Sequence, residues 1–86
     1  MNRAGAARSK LLRAVDLLGL RSKLTFEMDD KGFDGYPVTF RDARDAARTR
    51  PPASRSLREA WLEDEWVDVP AGLKTLLDGV CRELGL

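Results

Sequence analysis

Two short runs of alternating apolar and polar residues flank a turn. Leu24, Phe26 and Met28 alternate with Lys23, Thr25 and Glu27. A period of two predicts a strand with one buried face. Asp29-Asp30-Lys31-Gly32-Phe33-Asp34-Gly35 follows, rich in the residues that turns require. Tyr36, Val38 and Phe40 then alternate with Pro37 and Thr39, which predicts a second strand. Together they read as an antiparallel hairpin with an aromatic inner face. Pro37 has no N–H for a ladder, so the second strand is expected at an edge, or with the missing donor turned outward.

Elsewhere the period is helical. Ala4, Ala7, Leu11, Ala14, Val15 and Leu18 share one face of a helix over residues 3–18. Gly19 then Leu20 is a typical glycine-closed helix ending. After the hairpin, Phe40, Ala43 and Ala47 line one side of a predicted short helix reaching Arg48. Thr39 is its cap, and Asp42 lies three residues on. Arg41, Asp42, Arg44, Asp45 and Arg48 cover its other side with oppositely charged neighbours. Pro51-Pro52 stiffens a loop, and Ser56-Leu57-Arg58-Glu59 has the capping-box pattern that opens a further helix. Trp66-Val67-Asp68-Val69 alternates and predicts a short third strand. Beyond Pro70, Leu73, Leu76, Leu77, Val80 and Leu84 form a continuous helical stripe closed by Gly85-Leu86. Gly79 inside that helix leaves room for a close neighbour. The expected fold is a small α+β domain over residues 1–86: helix, β-hairpin, helix, helix, short strand, helix. Its antiparallel sheet of two or three strands packs on the helices.

Size changes the energetic expectation. A chain of 86 residues buries only about 60–65% of its unfolded surface and is marginal by area. Cys81 is the lone cysteine, so no disulfide adds to that. A partner or a second copy is one source of extra burial, and a homo-oligomer is compatible with two leucine-striped helices. No apolar run reaches the roughly 20 residues that span a bilayer. Arg8, Lys10, Arg13 and Asp16 interrupt any export-type apolar core, so no membrane association and a cytoplasmic location are expected.

The net charge of +1 says little, but its layout says more. Residues 1–26 hold six Lys/Arg against Asp16 alone, which is +5, and residues 51–68 hold two Arg against five acids, which is −3. Such ends either attract each other within one fold or recruit partners of opposite sign.

The chemistry available is narrow. The chain has no histidine, the usual acid–base group near neutrality and the commonest transition-metal ligand. A cysteine nucleophile at Cys81 has no imidazole partner, and a zinc site has almost no ligands. Asp29, Asp30 and Asp34 do not match the spacing of a calcium loop, and no Lys-Ser/Thr follows Gly32 and Gly35 as a phosphate loop requires. No catalytic residue, metal or cofactor is expected, and the chain is read as a non-enzyme. Two surfaces remain. In Trp61-Leu62-Glu63-Asp64-Glu65-Trp66 two indoles flank three acids, with Glu59 just before, a combination suited to a basic protein partner. Arg3, Arg8, Lys10 and Arg13 make the first helix basic, which suits phosphate. The leading expectation is a small protein-binding module that covers a surface of its partner. By analogy of size and profile, this is the manner of phage or mobile-element inhibitors and adaptors such as anti-CRISPR proteins. The alternative is a nucleic-acid-binding regulator acting through the first helix as a dimer. A small enzyme or enzyme subunit ranks last.

Overall fold

The computed structural model describes residues 3–45 and 47–86. Its elements run α1 (Arg3–Leu17), β1 (Leu24–Met28), β2 (Tyr36–Asp42), β3 (Ala53–Leu57), α2 (Glu59–Glu63) and α3 (Ala71–Leu84). The three strands form one antiparallel sheet in the order β1-β2-β3. This is the α+β architecture expected from the alternation and the two helical stripes.

The hairpin register sets the inner face. Phe26 pairs with Phe40, Met28 with Val38 and Tyr36 with Leu57. The Phe26 and Phe40 rings meet at 6.2 Å between centroids, tilted by 53°. α1 packs on β1, and α3 packs on β2 and β3, all contributing to one core. Ala7, Leu11, Ala14 and Val15 from α1 meet Leu73, Leu77, Val80 and Leu84 from α3 in that core. Each large apolar side chain so buried contributes roughly 1.5–3 kcal/mol. The opposite sheet face carries exposed Thr25, Glu27, Pro37, Ser54 and Ser56.

The two glycine-closed helix endings are alike. Leu20 N–H donates to Val15 O at 2.9 Å and Gly19 N–H to Asp16 O at 3.0 Å. At the other end Leu86 N–H donates to Cys81 O at 2.8 Å and Gly85 N–H to Arg82 O at 3.2 Å. These bonds satisfy carbonyls that a helix end otherwise leaves open.

Between residues 37 and 70 the structure departs from the sequence expectations. The second strand is central, not at an edge. Asp29 N–H donates to Pro37 O at 3.0 Å, one residue beyond the last β1–β2 pair, Met28 with Val38. The N–H and C=O of an extended residue point the same way, so the donor Pro37 lacks falls where β1 has already ended. No helix begins at Thr39. Thr39 pairs with Glu27 and Ser54 in the sheet, and β2 runs on to Asp42 opposite Leu24. The pairing with two neighbours outweighs a weak helical period of three residues. The segment after β2 is a loop held by carboxylates. Asp42 accepts from Arg44 N–H at 2.9 Å, and Asp45 accepts from the backbone N–H of Thr49 at 3.1 Å and of Arg50 at 2.8 Å. Aspartates that bind nearby backbone donors offer the chain an alternative to helix.

The third strand is also displaced. Ser56 is not a helix cap but a β3 residue whose Oγ donates to Asp34 O at 3.1 Å. α2 starts at Glu59 with no side-chain cap bond from Arg58. Residues 66–69 are irregular, and β3 takes the place in the sheet that alternation assigned to them. Arg50 joins the loop to the core, donating to Leu84 O at 3.3 Å while lying 3.7 Å from the Asp42 carboxylate. A guanidinium there meets the negative end of α3.

Candidate functional site

α2 is a helix of five residues, too short to stand without tertiary support. Three side chains provide it. Leu62 is buried in the core. Trp61 lies half-buried across the first turn of α3, so close to Gly72 that a Cβ there would sit 2.7 Å from Cζ2 of the indole. Trp66 folds back beneath the helix end, its Nε1–H donating to Trp61 O at 2.9 Å. From α1, Lys10 Nζ lies 5.3 Å and the Arg13 guanidinium 5.6 Å from the Trp66 ring centroid. Each such cation over an indole contributes about 0.5–1 kcal/mol. Lys10 Nζ also lies 3.4 Å from Glu65 Oε2. The lysine side chain is 12% exposed and the glutamate 93%, so the lysine is fixed and the acid is not.

With its indoles turned inward, the segment presents its acids outward. Glu59, Glu63, Asp64 and Glu65 are all exposed residues. Lys31, from the hairpin turn, bonds Glu59 and lies 3.5 Å from Glu63. The Glu59 hydrogen bond foremost, with the charges of Glu59 and Glu63, holds the Lys31 ammonium above its usual pKa against some desolvation. Lys31 therefore ties the hairpin tip to α2.

The tip itself is a tight turn. Gly32 N–H donates to Gly35 O at 2.7 Å, closing the turn over Phe33 and Asp34. Gly35 has φ +114°, and a Cβ there would lie 2.2 Å from Leu57 O. The turn is thus seated directly on the end of β3, where Ser56 Oγ also holds Asp34 O. Phe33 at its apex is wholly exposed, at 104%. The composition of residues 29–35 predicts the turn but not the exposed aromatic residue at its apex. The available signal was an aromatic side chain in a Gly/Asp turn, where neither strand nor helix period requires one.

The residues singled out in the sequence fall as follows. Glu59, Glu63, Asp64 and Glu65 form one outer face, while Trp61 and Trp66 are its support. Lys10 and Arg13 do not stand as a free basic stripe, since both engage Trp66. Arg8 lies elsewhere, over the Phe26 ring at 5.5 Å. The Arg3 side chain lies outside the described residues. The basic front end and the acidic segment thus meet within the fold. Burial first, then Asp78, pushes the Cys81 thiol up. Among the described residues no three His, Cys, Asp or Glu converge as a metal site, and no helix is long and apolar enough to cross a membrane. No protein-family model matches the chain, and no curated protein or solved structure matches it either.

Proposed function

We propose that this chain is a non-enzymatic protein-binding module that acts as an inhibitor or adaptor by covering a surface of a basic partner. The observation that supports this reading is the support beneath α2. Two tryptophans, the residue type most often spent on contact energy, are used here from below to hold a five-residue helix and its acids in one geometry. A backbone held in one place keeps its carboxylates together, and such a cluster steers the approach of lysines and arginines.

The test is capture with tagged full-length chain from a nuclease-treated lysate of its native cells, repeated with Glu63→Lys, Asp64→Lys and Glu65→Lys combined. The expected result is a stoichiometric protein partner that the triple variant loses while its thermal unfolding stays cooperative. Equal capture by the triple variant would refute the acidic contact. Nucleic acid recovered from a parallel untreated lysate, with no protein retained once nuclease is added, would transfer the reading to Arg8, Lys10 and Arg13.

A further inference from the structure

We propose that Phe33 is the anchor of this protein-binding surface, inserting into an apolar socket rimmed by lysine or arginine on a folded protein partner. The inference rests on the protein-binding reading above and extends it to a residue outside α2.

Four observations carry it. First, the exposure of Phe33 is not that of a surface residue lying against its neighbours. At 104% it gains nothing from the rest of the fold. Single exposed apolar residues are ordinary, so this exposure counts only together with what holds and surrounds the ring. Second, the backbone beneath it is fixed. The Gly32–Gly35 bond, the Ser56 bond to Asp34 O and the contact of Gly35 with Leu57 O hold the turn from three directions. A rigid aromatic on a fixed turn offers its whole ring to a partner at low entropic cost. Third, the knob is continuous with the acidic face, because Lys31 reaches from the turn to Glu59 and Glu63. Fourth, the surroundings define the socket. Phe33 lines a surface concavity with Asp29, Asp34 and Arg55, and Lys31 beside it reaches Glu59 and Glu63, so four carboxylates face two cations around the ring. An apolar ring inside an acidic collar complements an apolar hole inside a basic rim.

The same collar decides against other occupants. Anionic lipid headgroups and phosphate backbones are repelled by it, so the exposed ring is no membrane anchor and no base-stacking platform.

The chain itself is the probe. The full-length protein carrying p-benzoylphenylalanine in place of Phe33 is irradiated in a lysate of its native cells. A second preparation carries the same group in place of Thr25, exposed on the open sheet face. The expected result is a discrete protein adduct from position 33 alone, joined at an apolar residue flanked by Lys or Arg. Wild-type chain should compete it away. The Phe33→Ala chain should need about 30-fold more or beyond, the scale of a hot-spot truncation. Its melting temperature should match wild type, since the ring supports nothing in the fold. Equal competition by Phe33→Ala, the same adducts from position 25, lipid adducts, or no adduct would overturn the inference. If Phe33→Ala competes fully while the acidic triple variant does not, the knob falls and the protein-binding reading stands. If neither position nor capture yields a protein, both fall.

Discussion

Gly35 carries two constraints at once, and its replacement separates structural glycine from incidental glycine. Its φ of +114° is strained for any other residue, and its missing Cβ leaves the space taken by Leu57 O. Gly35→Ala should cost about 2–3 kcal/mol or more, read as a lower denaturant midpoint. Gly79 is the opposite case. Apart from its own stretch of helix, no atom of the described residues lies within 4 Å of a Cβ built there, so the close neighbour expected from the sequence is absent among them. Gly79→Ala should raise stability by up to about 1 kcal/mol by helix propensity alone. Tyr36 offers a second residue-scale test. It is fully buried, and its hydroxyl has no hydrogen-bond partner among the described residues. Tyr36→Phe removes a desolvated polar atom and keeps the ring, so it should be neutral or stabilising by about 1 kcal/mol in the same titration.

At the scale of elements, the loop between β2 and β3 is a carboxylate structure. The Asp42 carboxyl is held below its ordinary pKa by the Arg44 backbone N–H first and then by the Arg44 side chain. Asp45 is held down by the backbone N–H groups of Arg50 and Thr49. A carboxyl with a lower pKa in the folded state gives stability that is present above the unfolded value of about 3.9. That stability is lost as pH falls through the folded values. Lys31 is raised, so its contribution is complete below about pH 10.4 and is lost as pH climbs through its folded value. With no histidine to titrate between them, the urea midpoint should be flat from about pH 5 to 8, falling on the acid side as the loop protonates and on the alkaline side above the unfolded thiol value of about 8.5, because burial pushes the Cys81 thiol up in the fold. A slope near pH 6–7, about the histidine range, would contradict this. The same loop shows why one element was misread. Phe40, Ala43 and Ala47 carry a helical period, but Asp42 and Asp45 bind the backbone donors a helix would need. Composition alone cannot say which use the carboxylates take.

Across the whole molecule, charge is sorted along the hairpin. The acidic tip and α2 lie at one end of the strands. At the other end, where Ala43 N–H donates to Lys23 O at 2.9 Å, stand exposed Arg21, Lys23, Arg44, Arg48 and Arg50. The near-zero net charge conceals this separation. A partner engaged through the acidic end should associate more slowly as salt rises, by about tenfold between roughly 0.05 and 0.5 M, with a smaller change in dissociation rate. Stopped-flow association with the captured partner measures it, and a salt-independent rate would contradict electrostatic steering.

What the chain determined by itself were the features written in local period and local chemistry. The Leu24–Met28 and Tyr36–Phe40 alternation, the stripes of α1 and α3, and the Gly-Leu endings need only nearest neighbours to be understood. The α+β class follows from them. Tertiary structure decided the rest. Ser54, Arg55 and Ser56 carry almost no strand signal, and they become strand because β2 has an open side and Leu57 has a place beside Tyr36. Trp61 and Trp66 turn inward because Gly72 leaves room for one and Lys10 and Arg13 cover the other. Phe33 is left outside because its turn is clamped to β3. Each of these outcomes depends on a contact between residues far apart in sequence, and no local pattern encodes the free energy of such a contact.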